Sequence, residues 1–360
     1  MNGTRRKQPI YRKVRDDLAR AIERRNLLPG HPIPSENELA GRYRISRPTV
    51  RKALDLLERD GLVIRRPGKP RTVADPAHRT SLRLAINVFG SVHARPSAYA
   101  ATLMNAIAEA GFRENHELRL IPGKEIENLD ITNLDGLIWV HGTPGQQKVA
   151  ARLASSNFPV MLVNRTYDAP YVNYVATNHR RGAFLAADYL VRCGHRRILY
   201  LGPDSDEWPY TERMQGYTDA LAAAGLTVDP DLCLRFSDPN DQVRTQLSAL
   251  VGSRTVTAVF NAAGDTGYLA LLSHVYAEGL RIPDDLSVIC FDEMAHLDVY
   301  PAHRLTCVRQ PLERLGERAV AAIVRSRSRQ GTEDAAETRE ILAPELVVRE
   351  SCAPPPPDKE

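Results

Sequence analysis

The stretch ISRPTVRKAL brings together side chains that are well suited to contact a nucleic acid. Arg47 and Arg51 each carry a planar guanidinium that can donate two hydrogen bonds to the O6 and N7 atoms of a guanine. Thr49 and the free backbone N–H groups of a helix start suit phosphate oxygens. Ser46 is a favourable N-cap, and Pro48 is tolerated in a first helical turn. We therefore predict a helix whose N-terminal residues face a major groove.

Two earlier helices would position this one. The first is indicated by a stripe of apolar residues at helical spacing. Its members are Tyr11, Val14, Leu18 and Ile22. The second helix begins with Ser35 and Glu38, which have the spacing of a capping box, in which each side chain accepts a hydrogen bond from the other residue's backbone N–H. This order of helices predicts a helix-turn-helix.

The segment LVIRRPGKPRTV predicts two short strands joined by a turn, because Pro67 and Gly68 interrupt a strand-like pattern. A basic hairpin beside a recognition helix is a wing. We expect its cations to lie along the DNA backbone or in the minor groove. These cations are Arg65, Arg66, Lys69 and Arg71.

The charge of the chain is unevenly distributed. Residues 1–80 contain 20 Lys and Arg against 9 Asp and Glu, whereas the other residues contain 28 against 35. A basic module joined to an acidic body indicates a polyanion as the partner of the first part. The alternative is a basic surface that is only solvated.

Residues 9–74 resemble the N-terminal winged helix of the GntR family of bacterial regulators. The resemblance rests on LPGHPIPSENELA, ISRPTVRKAL and DGLVIRRPGKP, which occur in order and at the family's spacing. It implies that Arg47 and Arg51 contact bases and that Gly68 approaches the minor groove. Asn37 stands where many members have an arginine. The full set of candidate DNA-binding residues is Ser35, Asn37, Ser46, Arg47, Thr49, Arg51, Arg66, Gly68 and Lys69.

Beyond a polar linker over 75–81, short apolar runs such as LDGLIWV, PVMLVN and DLSVICFD alternate with helical patterns. Continuous apolar strands that alternate with helices predict parallel sheets covered on both faces. The number of strands is sufficient for two sheets, and hence for two lobes. We thus predict an α/β chain with a winged helix-turn-helix over 1–74, a two-lobed domain over 82–350 and a disordered tail over 351–360.

Polar side chains follow several of the predicted strands. Asn164 and Arg165 follow PVMLV, Asp292 follows SVICF, and Asp265 follows TAVFNAAG. Because ligands of parallel sheets bind at the carboxyl ends of the strands, these residues indicate a cleft for a hydroxyl-rich ligand. Arg213 could donate to such a ligand, and Trp208 could stack on a sugar face. Helix caps and solvated loop charges remain the alternative interpretation.

Residues 82–350 resemble the effector domain of the LacI/GalR family, which has the fold of periplasmic sugar-binding proteins. The resemblance rests on LVRCGHRRILYLGP, ERMQGYTDALAAAGL, GLRIPDDLSVICFDE and RLTCVRQPLERLGERAV. It implies that Arg213 and Asp292 bind effector and that Gln310 lies at a crossover between lobes. The candidate effector residues are Asn164, Trp208, Arg213, Asp265, Asp292 and Gln310. Departures from the family pattern are Thr177-Asn178 for Asp-Asn, Gly264 for Asn and Cys290 for Gly.

No nucleotide-binding glycine motif, zinc motif or nucleophile motif is present in the sequence, so we expect no cofactor, no metal and no enzyme activity. The five cysteines form no CxxC pair, which fits reduced thiols in a cytoplasm. No apolar run is long enough to cross a bilayer, and MNGTRRKQPI lacks the apolar core of a secretory signal. His195 is interpreted as a histidine that caps a helix end.

These observations favour a homodimeric, ligand-responsive transcriptional repressor that binds double-stranded operator DNA and a small molecule, with no membrane partner. The effector is expected to be a sugar. A purine or other non-sugar effector is an alternative, because the fold serves both. A DNA-binding head fused to an enzyme is a further alternative, but the body is short for the enzyme domain of such fusions and poor in lysine. The basic head and the missing signal argue against a transport protein.

Overall fold

The computed structural model describes most of the chain. The described residues are 10–23, 27–59, 61–66, 68–74, 81–88, 98–140, 146–168, 170, 172–237, 241–252, 256–294, 304–328 and 337–356. Of the predicted linker, Ser81 is described, and its hydroxyl donates to the backbone oxygen of Asn115 at 2.7 Å. The other linker residues lie outside the described part.

The N-terminal part consists of three helices followed by a two-stranded antiparallel sheet, as predicted. The elements are α1 (Ile10–Glu23), α2 (Glu36–Tyr43), α3 (Arg47–Arg59), β1 (Val63–Ile64) and β2 (Thr72–Val73). The predicted capping box begins α2: the Ser35 hydroxyl accepts from the Glu38 N–H at 3.3 Å, and the Ser35 N–H donates to the Glu38 carboxylate at 2.7 Å. The core between the helices includes Val14, Leu39 and Leu54, which are at most 1% exposed.

The first lobe is a six-stranded parallel sheet in the order β13-β7-β6-β5-β3-β4. Its strands are β3 (Arg83–Val88), β4 (Glu117–Pro122), β5 (Gly136–Trp139), β6 (Val160–Val163), β7 (Asn173–Thr177) and β13 (Arg339–Leu342). Its helices are α4 (Ala98–Arg113), α5 (Gln147–Ser155) and α10 (Leu312–Ser328), with a 3-10 helix at Gly123–Asn128. Separate apolar clusters cover the two faces, which explains why β5 and β6 are apolar along most of their length.

The second lobe is built in the same way, with strand order β14-β12-β11-β10-β8-β9, in which β14 pairs antiparallel with its neighbour and the other pairs are parallel. Its strands are β8 (Ile198–Pro203), β9 (Cys233–Phe236), β10 (Ala258–Asn261), β11 (Ser287–Phe291), β12 (Thr306–Arg309) and β14 (Glu345–Val347). Its helices are α6 (His179–Arg192), α7 (Trp208–Ala223), α8 (Asp241–Gly252) and α9 (Gly264–Ala277), with a 3-10 helix at Pro230–Leu232. The predicted fold class is therefore confirmed.

The described backbone passes between the lobes from β7 to α6, from β12 to α10 and from β13 to β14. Gln310 lies between β12 and α10, and therefore occupies a crossover as the resemblance implied. These connections place the carboxyl ends of strands from both sheets beside the same three crossing segments. They define the position of the cleft.

The predicted disordered tail is wrong for its first residues. Ser351 is 4% exposed, and its hydroxyl donates to the backbone oxygen of Val288 at 2.6 Å and accepts from the Thr306 N–H at 2.8 Å. The backbone oxygen of Ala353 accepts from His195 Nε2 at 2.9 Å, so this side chain holds the tail and does not cap a helix. The proline-rich composition did not reveal that this segment satisfies backbone groups of the second sheet.

Candidate DNA-binding surface and effector cleft

The N-terminal end of α3 exposes the two arginines that the sequence singled out. The side chains of Arg47 and Arg51 are 60% and 55% exposed, although neither points freely into solvent. Arg51 donates to the Glu36 carboxylate through Nε at 3.2 Å and through a terminal nitrogen at 2.9 Å. Arg47 lies 3.9 Å from the same carboxylate. Glu36 thus joins the start of α2 to the start of α3.

Glu36 was not among the predicted site residues. Its pKa is lowered to about 2, first by the hydrogen bond from Arg51 and also by Arg71, so it is a carboxylate at physiological pH. Arg71 donates to Glu36 at 3.1 Å and to Asp55 at 2.9 Å, and its side chain is only 11% exposed. The prediction that Arg71 lies along DNA is therefore wrong: it is an internal cation that links the wing to both helices.

The other predicted DNA-binding residues lie on the surface of the same domain. The Ser46 and Thr49 hydroxyls are 2.8 Å apart, so Ser46 bonds the Thr49 side chain at the start of α3. Gly68 has φ +71° and open space at its Cβ position, a backbone conformation that favours glycine in the wing turn. The exposed members of this set are Ser35, Asn37, Ser46, Arg66, Gly68 and Lys69.

The effector cleft begins with two residues that directly follow strands. Asn164 follows β6 in the first lobe with φ 58°, and Asp292 follows β11 in the second lobe with φ 80°. Left-handed backbone is uncommon for residues other than glycine, although Asn and Asp tolerate it best. Strained backbone conformations cluster at functional sites. The same unusual conformation therefore turns one polar side chain from each sheet toward the crossovers.

A closed ring of five side chains connects these two residues. Arg213 Nε donates to His179 Nδ1 at 3.3 Å, and His179 Nε2 lies 3.2 Å from Asn164 Oδ1. Asn164 Nδ2 donates to Gln310 Oε1 at 2.8 Å, and Gln310 Nε2 donates to Asp292 Oδ1. The ring closes where Asp292 Oδ2 lies 3.8 Å from the Arg213 guanidinium. Four of the six candidate effector residues, together with His179, therefore form one network.

Arg213 and Asp292 form an ion pair with little exposure to water. Arg213 is 5% exposed, lies 3.7 Å above the Phe291 ring and donates to the backbone oxygen of Ala262 at 2.6 Å. Burial raises the pKa of Asp292, while the Arg213 charge and the Gln310 hydrogen bond act in the opposite direction. A partly desolvated carboxylate of this kind gains by accepting hydrogen bonds from a ligand.

Asp265 and Arg165 make contacts between the lobes. Asp265, in the first turn of α9, accepts from the N–H of Ala98 at 2.9 Å, and Ala98 is the first residue of α4 in the other lobe. Arg165 of the first lobe lies 3.3 Å from Glu207, which precedes α7 of the second lobe. Asp265 therefore lies between the lobes, and its carboxylate is engaged by a helix N-terminus.

Three aromatic side chains border the ring of five side chains. Trp208 begins α7 and meets His179 edge-on, with ring centroids 5.4 Å apart. Phe291 stacks on His179 at the same centroid distance. Tyr99 from α4 adds its hydroxyl, which accepts from Asn164 at 2.8 Å. Aromatic faces beside hydrogen-bonding groups suit a ligand with one apolar and one polar surface.

Sequence analysis missed His179, Tyr99 and Phe291. His179 stands in a polar run at a helix start, where solvated residues are common, so its sequence context does not indicate a binding site. The only signal was its position directly after Asn178, which caps α6 by accepting from the Arg181 N–H at 2.9 Å. Phe291 is the last residue of a buried strand, so the sequence pattern indicates only a role in the core.

Two departures from the family pattern also have a place in this geometry. Gly264 has φ +59°, and a Cβ there would lie 3.5 Å from Asp292 Oδ2, so its small size leaves space beside the carboxylate. Cys290 is fully buried, and burial raises the pKa of its thiol, which makes it an unreactive core residue.

Within the described ranges, no cluster of three or more His, Cys, Asp or Glu side chains could hold a metal ion. None of the helices in that part of the chain has the combined length and apolarity that a membrane span requires.

Comparison with known proteins agrees with both halves of this geometry. Residues 10–73 match the family described as bacterial regulatory proteins, gntR family, and residues 187–352 match a periplasmic binding protein-like domain. The chain is 25% identical to an arabinose metabolism transcriptional repressor of Geobacillus stearothermophilus over 95% of this chain and 97% of that protein. It is also 28% identical to a transcriptional repressor PurR of Histophilus somni, over 70% of this chain and 77% of that protein.

Solved structures show the same fold. A LacI family regulator from Enterococcus faecium with bound ribose superposes with a TM-score of 0.62 at 21% identity, covering 76% of this chain and 99% of that one. A complex of the regulator CelR with cellobiose superposes with a TM-score of 0.64 at 23% identity, covering 89% of this chain and 100% of that one. The chain thus joins a segment that matches the gntR family of bacterial regulatory proteins to a domain with a periplasmic binding protein-like fold.

Proposed function

We propose that this protein is a transcriptional repressor whose operator binding is controlled by a sugar bound between the two lobes. The observation that carries the proposal is the convergence of Asn164, Gln310, Asp292 and Arg213 at the crossovers of a two-lobed domain that is joined to a winged helix. A sugar presents adjacent hydroxyls, which both donate to carboxylates and accept from guanidinium groups. Trp208 supplies an aromatic face beside them.

The name of one relative and the ligands bound in two structural neighbours support a sugar. One relative is named for arabinose metabolism, and structural neighbours contain ribose or cellobiose. A flat purine is the second candidate, because Trp208 and Phe291 both border His179 and could accept a planar ring. Both candidates place the effector in the same cleft. Neither gives the protein an enzymatic role.

The effector acts by differential affinity for two arrangements of the lobes. A ligand that binds both arrangements equally well shifts nothing. Contacts across the cleft, such as Asp265 with Ala98 and Arg165 with Glu207, would change when the lobes rotate about the crossovers. A ligand that favours one lobe angle would therefore reposition the surfaces that hold a second subunit.

A homodimer in the cytoplasm, where operator DNA is found, completes the proposal. Exposed apolar side chains mark surfaces that bind other proteins where they form a contiguous patch. Phe112 and Leu120 of the first lobe are 65% and 60% exposed, and Leu269 and Tyr276 of the second lobe are 55% and 67% exposed. A second copy of the chain on these surfaces would set the spacing of two DNA-binding heads.

The proposal can be tested with the full-length protein. Duplexes selected from a randomised DNA pool provide the operator, and thermal shift measurements with L-arabinose, D-ribose, cellobiose, hypoxanthine and guanine identify the effector. We expect one of the sugars to raise the melting temperature and to weaken binding to the selected duplex. Stabilisation by a purine alone would replace the sugar with the second candidate. A bound sugar that leaves DNA affinity unchanged would contradict the regulatory role.

A further inference from the structure

His179 occupies a position between the lobes that none of the preceding assignments explains. It is the first residue of α6, directly after the crossover from β7, and it is 1% exposed. Its two ring nitrogens contact different lobes: Nδ1 meets Arg213 of the second lobe, and Nε2 meets Asn164 of the first. Among the five side chains of the ring, it is the one through which Arg213 reaches the first lobe.

The protonation state of His179 follows from its partners. A guanidinium can only donate, so His179 Nδ1 must be the acceptor and must carry no proton. The ring proton is then on Nε2, which donates to Asn164 Oδ1. Burial and the neighbouring Arg213 charge both lower the pKa of His179, so the imidazole is neutral. One tautomer of one charge state therefore satisfies both contacts.

This tautomer also determines the orientation of two amide groups. Asn164 Oδ1 accepts from His179 Nε2 and from the Thr177 N–H at 3.0 Å, so the Asn164 nitrogen must point away from them. That nitrogen donates to Gln310 Oε1, which leaves Gln310 Nε2 to donate to Asp292. The four hydrogen bonds that lead from Arg213 through His179, Asn164 and Gln310 to Asp292 all point in the same direction. Bonds arranged in this way polarise one another and strengthen cooperatively.

We propose that His179 is a positioning residue of the effector cleft, which fixes Arg213 toward the ligand and links it to Asp292 through Asn164 and Gln310. The inference rests on the proposed function, because it assumes that the ligand binds where Arg213 and Asp292 meet. His179 itself need not touch the ligand. Two aromatic neighbours hold the orientation of the His179 imidazole: Phe291 stacks on it, and Trp208 meets it edge-on.

Two substitutions separate hydrogen bonding from packing. His179→Phe keeps an aromatic ring against Phe291 and Trp208 but removes both nitrogens. His179→Gln keeps an amide that can accept from Arg213 and donate to Asn164. His195 offers a matched control, because it is equally buried and makes two hydrogen bonds, to Thr257 and Ala353, at the amino-terminal edge of the second sheet. His195→Phe should therefore reduce stability without changing the cleft.

The experiment measures the affinity of the full-length variants for L-arabinose, D-ribose and cellobiose by isothermal titration. We expect His179→Phe to weaken each sugar that binds the wild type by about tenfold or more, as expected when a buried polar group loses its partner. His179→Gln should recover most of the affinity, and His195→Phe should bind as the wild type does. Wild-type affinity in His179→Phe would overturn the proposal.

A second measurement tests, without any ligand, the His179 tautomer on which the inference rests. In the full-length protein labelled with ¹⁵N-histidine, the signals that disappear in His179→Gln identify His179 and report its tautomer. We expect a neutral ring that carries its proton on Nε2 at pH 7. A proton on Nδ1, or a charged ring, would overturn the proposal. If no sugar binds the wild type while the Nε2 tautomer is observed, the sugar-binding function fails and the ring of hydrogen bonds stands.

Discussion

Asp292→Asn is the substitution that tests the effector cleft most directly. The structure favours asparagine over alanine as the replacement, because residue 292 has φ 80°. Asparagine tolerates this conformation, whereas alanine would add roughly 1 kcal/mol of backbone strain that has no connection with ligand binding. Asparagine also keeps an oxygen that can accept from Gln310. The substitution therefore removes the charge and leaves the shape.

Two contributions to the effect of this substitution on folding oppose each other. The Arg213 and Asp292 charges are 3.8 Å apart, which corresponds to about 4 kcal/mol of attraction at an effective dielectric constant of 20. Burial of the carboxylate acts against this attraction, as the raised pKa of Asp292 indicates. Because Asp292→Asn leaves the buried Arg213 charge without its counter-ion, we expect the free energy of unfolding to fall by about 3–5 kcal/mol.

The substitution should also weaken ligand binding. A hydrogen bond from a sugar hydroxyl to a carboxylate contributes about 1.5–3 kcal/mol, which corresponds to a roughly 10- to 150-fold loss of affinity when the charge is removed. Isothermal titration with the sugar identified by thermal shift measures this loss. Operator affinity without sugar should stay near wild type, so a reporter strain should remain repressed when the sugar is added.

Glu293→Gln provides the matched control for this prediction. Glu293 is the next residue, carries the same charge and is paired with Arg309 and Arg349 of the second sheet. Its substitution should reduce stability and leave sugar affinity unchanged. If Asp292→Asn binds sugar within about twofold of wild type, less than half a kcal/mol, then Asp292 is a cap of the following turn and the cleft assignment is wrong.

Three further predictions concern other parts of the molecule. Arg51→Ala should weaken the selected operator by about 1–3 kcal/mol and random DNA very little, whereas Lys69→Ala should weaken both equally; equal losses for Arg51→Ala would identify a phosphate contact. Ser351→Ala should lower the free energy of unfolding in urea by about 1–3 kcal/mol, because buried backbone groups lose their partner; an unchanged midpoint would mean that the tail contributes nothing. Burial lowers the pKa of His179 below its unfolded value, so the unfolded chain binds the extra proton, and stability should fall as pH drops below about 6.5 by up to about 1.4 kcal/mol per pH unit. Between pH 7.5 and 5.5, the free energy of unfolding of His179→Phe should fall less than that of the wild type. An identical pH dependence in both proteins would show that the histidine does not titrate as inferred.

Local and periodic features were predictable from the sequence. The capping box at Ser35 depends on residues three positions apart, and the parallel sheets follow from apolar runs that alternate with helices. Asn164 and Asp292 could each be placed at the carboxyl end of a parallel strand, which is where ligands of such sheets bind. These predictions needed no knowledge of how distant segments pack.

Features that depend on a partner distant in sequence could not be predicted. Arg71 belongs to a basic hairpin in the sequence. Its side chain points inward because it donates a hydrogen bond to Glu36, which lies 35 residues earlier. Asp265 finds the N-terminus of α4 across 167 residues, a contact that depends on the relative position of the lobes. The ordered start of the tail is a similar case, since Ser351 meets a strand 63 residues earlier. Amino-acid composition and local sequence patterns do not predict such contacts.

The positions of the two groups of contacts between the lobes suggest how a ligand could move them. Gln310 lies in a crossover, where a rotation of the lobes displaces atoms least, so its bonds to Asn164 and Asp292 can persist in more than one lobe arrangement. Asp265 and Ala98 belong to helices of opposite lobes, and their hydrogen bond must break when those helices separate. A sugar hydroxyl that donates to Asp265 competes with the Ala98 N–H for the same carboxylate. The ligand therefore gains only the difference between two similar hydrogen bonds at that position. Because Arg213 and Asp292 both belong to the second lobe, a preference for one arrangement requires that the ligand also contact the first lobe, where Asn164 lies nearest to them in the ring.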